Sequence, residues 1–180
     1  MKIALVVGHA SDKQGAVGSL GISEYNFWLD FVQDLKDKLA RLEHLADIEF
    51  KVFERPTSKR GYTSRMKALH AELDAWGSDV AVSFHFNASA SRAQGHEVLY
   101  CSRMGRVLAD RMNNLFNEYL PNRDRGIKKK TKKDRGGGFL CRGRSVCILV
   151  EPFFASEQDY FVEEGYHDLM DAFLAFFERI

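Results

Sequence analysis

The sequence predicts an α/β domain of three layers, in which a mostly parallel, twisted sheet is flanked by helices. Short apolar segments alternate along the chain with segments whose apolar residues have helical spacing. The first segment, residues 2–8, is apolar over nearly its whole length and ends in glycine, as is typical of a buried strand in a parallel sheet. Because neither an internal repeat nor a linker interrupts this alternation, we predict one catalytic domain over residues 1–180.

The first half of the chain contains two strand–helix units. Ser23 and Glu24 mark a helix start, because a serine cap and an acidic residue in the first turn both favour it, and apolar residues at helical spacing continue to about residue 45. Residues 48–53 alternate apolar and polar side chains, which predicts the second strand. Residues 63–76 place apolar side chains on one helical face, and Gly77 ends that helix.

The second half contains three more apolar segments and two amphipathic ones. Between them lies a basic segment, residues 122–143, which we expect to be a long loop, with a hairpin as the alternative. The predicted strands are residues 79–85, 96–101 and 145–150, and the predicted helices are residues 104–120, stopped by Pro121, and residues 157–179.

The composition indicates a globular protein with a substantial core. Hydrophobic residues make up 45% of the chain and charged residues 28%, and the 14 phenylalanines predict an aromatic-rich core. The formal net charge of +1 gives no overall field that would favour nucleic acid or membrane, so neither is an expected partner. The charge is nevertheless uneven, because residues 122–135 are strongly basic.

The cysteines and the N-terminus suggest where the chain is made. Cys101, Cys141 and Cys147 are an odd number without C-x-x-C spacing, which predicts reduced thiols rather than a disulfide framework or a cysteine zinc cluster. The apolar N-terminal run is too short for a signal peptide, and no run reaches membrane-spanning length. We therefore expect synthesis in the cytoplasm without an export signal.

Four polar residues lie where strands end or a helix begins. His9, His85 and Glu151 follow the first, third and fifth predicted strands, and Glu24 opens the first helix. Because ligands of open α/β sheets bind outside the carboxyl ends of the strands, we expect these side chains to converge at one edge. Two imidazoles and a carboxylate suffice to hold a catalytic zinc ion, and a second carboxylate, Glu151, suits the role of general base.

A structural interpretation of each residue is also open. A histidine at a strand end is commonly a structural or surface residue, and Glu24 alone is explained by the dipole of its helix. Glu151 could likewise be a loop carboxylate before Pro152. The metal site is favoured over these structural interpretations only because all four groups are expected at the same edge of the sheet.

The order and spacing of several short motifs resemble a known family over nearly the whole chain. These motifs are V-V-G-H at 6–9, G-I-S-E-Y-N at 21–26, D-V-A-V-S-F-H-F-N-A-S at 79–89, G-H-E-V-L-Y at 95–100, R-D-R-G-I-K at 123–128 and I-L-V-E-P-F-F at 148–154. With them the chain resembles the zinc-dependent N-acetylmuramoyl-L-alanine amidases of the amidase-3 family.

The resemblance implies an activity and a set of functional residues. The family's ligands for one zinc ion correspond to His9, Glu24 and His85, and its catalytic glutamate corresponds to Glu151. Its members hydrolyse the amide between the lactyl group of N-acetylmuramic acid and the L-alanine of the peptidoglycan stem peptide. The size and the lack of an export signal look most like a phage endolysin catalytic domain, which waits in the host cytoplasm and acts on the wall after release.

Three further residues are candidates for substrate binding. Asn87 follows His85 on the same loop, and Arg65 and Arg125 each offer a fork of donors suited to a stem-peptide carboxylate. The alternatives are a turn supported by Asn87 and two solvated surface arginines. The histidines on predicted helices, His44, His70 and His167, are interpreted as surface residues.

Two other functions compete with the amidase. One is a zinc peptidase that cuts a peptide bond of the stem, and the other is a non-enzymatic module that binds nucleic acid or wall polymer through residues 128–133. The lysine run lacks the interleaved aromatic residues of a single-strand binder, which favours a solvated loop. For the oligomeric state, a monomer is favoured.

Overall fold

The computed structural model describes residues 1–58, 60–89 and 93–180, and its centre is one six-stranded sheet. The strand order is β2-β1-β3-β6-β4-β5. All neighbouring pairs are parallel except β4 and β6, which run antiparallel. The mostly parallel sheet predicted from the sequence is therefore confirmed. The strands are β1 (Lys2–Val7), β2 (Glu49–Phe53), β3 (Val80–Phe84), β4 (His96–Tyr100), β5 (Asp124–Lys129) and β6 (Val146–Glu151).

Helices cover both faces of the sheet, and strand alternation explains why both faces are apolar. Ile3 and Leu5 of β1 belong to an apolar cluster on one face, whereas Ala4 and Val6 belong to a cluster on the other. The first cluster is closed by α1, α3 and α6, and the second by α2 and α4. The helices are α1 (Glu24–Leu39), α2 (Tyr62–Trp76), α3 (Arg103–Tyr119), α4 (Gly137–Leu140), α5 (Gln158–Val162) and α6 (Gly165–Glu178).

The larger cluster is rich in aromatic rings, as the composition predicts. Trp28 and Phe31 of α1 pack against Phe173 of α6, and Phe84 of β3 also contacts Phe173. All four side chains are fully buried. Since aromatic side chains bury large areas each, this cluster anchors α1 and α6 to the strand ends where the predicted site lies.

The basic segment differs from its prediction. Residues 124–129 form strand β5, which pairs in parallel with β4, so both the long loop and the hairpin were wrong for this part. The charged pattern D-R-G-I-K-K does not resemble that of a buried strand. It is compatible with β5 because this strand lies at the sheet edge, where charged side chains are tolerated and protect against edge-to-edge pairing. A short helix, Gly137–Leu140, follows it.

The predicted ends of two helices were also wrong. Helix α1 ends at Leu39, and the apolar residues that prolonged its pattern belong to a separate 3₁₀ turn, Glu43–Leu45. The C-terminal helix is divided into α5 and α6, because the chain turns before Gly165, where a side chain would collide with the ring of Tyr160. Among the described residues, no helix is long and apolar enough to cross a membrane.

Two predictions about cysteine and histidine side chains were wrong. Cys101 after β4 and Cys141 after α4 form a disulfide across 40 residues, with their Cα atoms 5.5 Å apart, whereas Cys147 is free and buried. Sequence spacing gave no sign of it, because the fold alone brings these segments together. His70 is buried at 2% exposure against Phe139, while His44 and His167 are exposed as expected.

Candidate active site

His9 and His85 lie side by side where β1 and β3 end. The two imidazole centroids are 5.2 Å apart. The strands approach so closely here that a Cβ on Gly8 would lie 2.2 Å from the Phe84 carbonyl oxygen, so glycine is required at this position. His9 has a φ of 66°, the only positive value among the described non-glycine residues. Such strain persists where the surroundings fix it, and it is common at functional sites.

Glu24 joins the two histidines. It opens α1 behind Ser23, whose side chain caps the helix by accepting a hydrogen bond from the Asn26 amide. One carboxylate oxygen of Glu24 lies 2.7 Å from His85 Nδ1, and the other lies 3.1 Å from His9 Nε2. The Phe86 amide also donates to Glu24, at 3.2 Å. The carboxylate is only 2% exposed, so its position is closely determined by these donors.

The protonation of this group suits a metal. Burial by itself would raise the pKa of Glu24, but the hydrogen bonds from His85 and His9 outweigh it and lower the pKa to about 2. Burial lowers the pKa of His85. The carboxylate is therefore ionised and the neutral imidazole is favoured, and these are the forms that bind metal ions.

The donor set and its spacing fit one divalent ion. His9, Glu24 and His85 each offer one ligand atom, and these atoms all lie within 4.8 Å of one another. Two nitrogens and one oxygen are a common set for catalytic zinc, which leaves a fourth position open. The group is thus consistent with the metal site typical of zinc amidases, as the sequence predicts.

Glu151 ends β6 near this group and faces a second carboxylate. In the antiparallel register of β4 and β6, Glu97 is its direct partner. The Asn87 side-chain amide donates to both, at 2.8 Å to Glu151 and 3.2 Å to Glu97. Burial, followed by the like charge of Glu97, raises the pKa of Glu151 to about 8. A carboxyl group whose pKa lies this close to neutral pH can both take up and release a proton there.

All these groups line one cavity of about 610 Å³. His9, Glu24 and His85 lie in its wall together with Asn87 and Glu151. The four residues that the sequence predicts to converge are therefore brought to one place. Apolar and cationic side chains from the segment after β2, from α2, β4 and β6, and from residues 130–142 form most of the remaining wall.

The arginines predicted to bind substrate are both engaged with carboxylates. Arg65 is 7% exposed and binds both oxygens of Asp12, at 2.6 and 2.5 Å, so it is not a solvated surface residue. Arg125 donates to Glu97 at 2.8 Å and lies over the Phe154 ring. Neither lines the cavity. Their binding of a stem carboxylate stays a prediction.

Sequence reasoning missed three residues that shape the site. Glu97 was placed within a strand without a role, although a buried acid in an apolar strand is itself a signal. Gly8 permits the contact of the two strand ends. Gly15 has a φ of 81°, and a Cβ there would lie 2.6 Å from His9 and 2.7 Å from Glu24. A glycine-rich loop beside a candidate ligand can be such a signal of close approach.

Solved structures share the fold over nearly the whole chain. The catalytic domain of the CD27L endolysin targeting Clostridia difficile is 23% identical, with 96% of this chain and 92% of that chain covered and a TM-score of 0.76. An N-acetylmuramoyl-L-alanine amidase from Clostridium difficile 630 is 21% identical, with coverage of 99% and 95% and a TM-score of 0.77. The amidase AmiC2 of Nostoc punctiforme is 18% identical, with coverage of 99% and 96% and a TM-score of 0.78.

Family membership follows from the sequence match rather than from these distant structural likenesses. No match was found among curated proteins. The family model described as N-acetylmuramoyl-L-alanine amidase, Amidase_3, matches residues 3–161. This match favours the amidase over both the zinc peptidase and the binding module. The chain belongs to the Amidase_3 family and is an N-acetylmuramoyl-L-alanine amidase, a hydrolase that acts on peptidoglycan.

Proposed function

We propose that the enzyme uses one zinc ion, held by His9, Glu24 and His85, to hydrolyse the amide between N-acetylmuramic acid and L-alanine. The observation that carries the proposal is the convergence of three ligand atoms within 4.8 Å, in the wall of the cavity that also holds Glu151. When bound there, zinc would supply Lewis acidity that polarises the amide carbonyl and makes water a better nucleophile.

Glu151 is proposed as the general base and then the general acid. Its carboxylate takes a proton from the attacking water and delivers it to the nitrogen of L-alanine as the carbon–nitrogen bond breaks. The Asn87 amide, which donates to Glu151 at 2.8 Å, holds the carboxylate in place. The role of Asn87 proposed here is thus positioning, and it adds to the substrate contact predicted from the sequence.

Glu97 and Arg125 also influence the Glu151 carboxylate. Arg125 donates to Glu97 at 2.8 Å, and Glu97 faces Glu151 across the strand pair. This arrangement keeps a negative charge near Glu151 and so increases its affinity for the proton that it must collect. The pair therefore favours proton uptake by Glu151, while Arg125 compensates the charge of Glu97.

The simplest experiment combines metal exchange with product analysis. Purified protein is treated with a chelator, dialysed, and assayed on peptidoglycan before and after one equivalent of zinc is returned. We expect activity to vanish and return, with free L-alanine amino groups released while the glycan strands stay intact. Full activity in protein shown by elemental analysis to contain no metal would refute the zinc assignment. Cleavage within the stem peptide would instead favour the peptidase.

We also propose that the enzyme is a phage endolysin made in the host cytoplasm as a monomer. Support comes from the likeness to the CD27L endolysin catalytic domain, and from the Cys101–Cys141 disulfide, which suits action outside the reducing cytoplasm. Expression in a bacterial host should leave cells intact until the inner membrane is permeabilised, after which turbidity should fall rapidly. Lysis without permeabilisation would contradict this role.

A further inference from the structure

The cavity has a cationic wall opposite the metal ligands. Its basic side chains come from the segment after β2 and from residues 130–142, and none of them forms an ion pair with a carboxylate that the structure describes. Arg65 and Arg125, which are paired with carboxylates, do not line the cavity. This cationic wall consists of Arg55, Lys130, Lys132, Lys133, Arg135 and Arg142.

Two members of the cationic wall carry buried donors without an acceptor. The Nε–H groups of Arg55 and Arg142 are both buried, and neither has a hydrogen-bond partner among the residues that the structure describes. Leaving a buried donor unsatisfied costs on the order of 1–3 kcal/mol, and more when the group is charged. These two buried atoms are themselves out of reach of a ligand, but both side chains line the cavity, so their positive charge is available to an anionic ligand there.

Tyr62 links these two arginines. The Arg55 guanidinium carbon lies 5.4 Å from the centre of the Tyr62 ring. Burial raises the pKa of the Tyr62 hydroxyl, and the charges of Arg55 and Arg142 both act against that rise, so both lie within electrostatic range of the hydroxyl. The Tyr62 ring packs closely against Gly138, because a Cβ atom at that position would lie 2.6 Å from the ring.

Arg55 also faces the metal ligands. It lines the same cavity as Glu24 and His85, and its positive charge lies within electrostatic range of both. Tyr62 and Arg142 line this cavity too. A stem peptide that extends from the scissile amide through the cavity would therefore pass these cationic groups.

We propose that Arg55 and Arg142 form a subsite for a free carboxylate of the stem peptide, a residue or two beyond the L-alanine. This inference rests on the proposed function and names the substrate class that the site selects. A carboxylate offers two acceptor oxygens that match a pair of parallel N–H donors of a guanidinium. A carboxamide of the same shape cannot satisfy the fork, because one of its two polar atoms is a donor.

The test compares two soluble substrates that differ in one group. Muramoyl-L-alanyl-D-glutamate with a free α-carboxylate is assayed beside its α-carboxamide form, with release of free L-alanine amino groups as the readout. We expect the wild-type kcat/KM to favour the carboxylate by about 10- to 100-fold, as expected for a hydrogen bond to a charged group. The difference should lie mainly in KM, because the carboxylate is remote from the scissile bond.

Variants of the two arginines test whether the cationic wall causes the preference for the carboxylate substrate. Arg55→Gln and Arg142→Gln should each reduce the carboxylate-to-carboxamide ratio toward 1. Arg103→Gln is the matched control, since Arg103 is exposed on α3 and does not line the cavity. Its ratio should remain that of the wild type.

Direct binding separates this subsite from the proposed reaction. Calorimetric titration of the wild-type protein with L-alanyl-D-glutamate and its carboxamide should show tighter binding of the carboxylate, lost in Arg55→Gln. Equal binding of both dipeptides by the wild type, or an unchanged ratio in both arginine variants, would overturn the subsite. If neither substrate releases L-alanine yet binding discriminates, the proposed reaction fails while the subsite stands.

Discussion

The two walls of the cavity differ in how their polar groups are paired. On the metal-binding side, both oxygens of Glu24 have close donors, and the two histidines are held at the ends of β1 and β3. On the cationic wall, Arg55 and Arg142 keep buried donors unsatisfied. The carboxylate of the metal-binding side already has its hydrogen-bond partners, which suits an ion that remains bound. The cationic wall has donors without partners, which suits a ligand that binds and is released.

The walls also differ in how the chain supports them. His9 and His85 follow inner strands of the sheet and Glu24 opens the buried helix α1, whereas most of the cationic wall belongs to residues 130–142 beyond the edge strand β5. That segment is held by one short helix and by the Cys101–Cys141 disulfide. Rigid placement is thus concentrated where bonds are broken, and looser support is found where a varied substrate must fit.

Removing a metal ligand should have the largest effect. His85→Ala should lose both stoichiometric zinc and activity, because two remaining ligands cannot hold the ion. Metal content by elemental analysis and amidase activity are measured on the same preparation. His167→Ala is the control, as this exposed histidine on α6 is far from the ligand group and should change neither quantity. An active, zinc-loaded His85→Ala protein would show that the ligand set is wrong.

Glu151→Gln should separate metal binding from turnover. The side chain keeps its shape and can still pair with Asn87, but it cannot accept the proton, so kcat should fall by about 10²- to 10⁴-fold. Zinc content should equal that of the wild type. Retention of more than a tenth of the wild-type kcat would contradict the role of Glu151 as the base. A loss of zinc would mean that Glu151 supports the ion instead.

Removing the disulfide should weaken the cationic wall more than the metal side. The pair closes 40 residues, so Cys101→Ser with Cys141→Ser should lower the free energy of unfolding by about 3–4 kcal/mol. Hydrogen exchange should rise in residues 130–142 and change little in residues 2–9. Equal increases in both segments would show that the two walls are not supported independently. Cys147→Ser, which leaves the disulfide intact, is the matched control.

The difference between the metal-binding side and the cationic wall also determines which residues could be predicted from the sequence. His9, His85 and Glu151 stand out because apolar strands end at them, and parallel strands place their carboxyl ends together. Glu24 is visible because a cap precedes it. These four residues were therefore found by local pattern and by the resemblance, and the structure places them in one cavity.

The cationic wall could not be found in this way. Its members depend on the fold of residues 130–142 and on a disulfide between segments that lie 40 residues apart. Arg55 looks like any polar loop residue until burial and the missing acceptor are known. Arg65 was named as a candidate, with a solvated surface arginine as the alternative, but it binds Asp12, a partner 53 residues away that no sequence spacing indicates. Pairing of charges is a property of tertiary structure, and one chain's sequence does not display it.

The remaining expected effect concerns the pH dependence of stability in the metal-free enzyme. The pKa of Glu151 is raised from 4.5 to about 8, so between these values the folded state keeps a proton that the unfolded state releases. Stability should therefore fall as pH rises through this window, and Glu151→Gln, which removes the effect, should be more stable than the wild type at pH 8 by on the order of 4 kcal/mol.

Denaturant unfolding at pH 4 and pH 8, in the presence of chelator, measures that difference. The advantage of Glu151→Gln should vanish at pH 4, where the wild-type carboxyl is protonated in both states. Glu163→Gln, at an exposed carboxylate outside the cavity, should show no such advantage at either pH. If Glu151→Gln gains nothing at pH 8, the buried pair with Glu97 does not oppose folding.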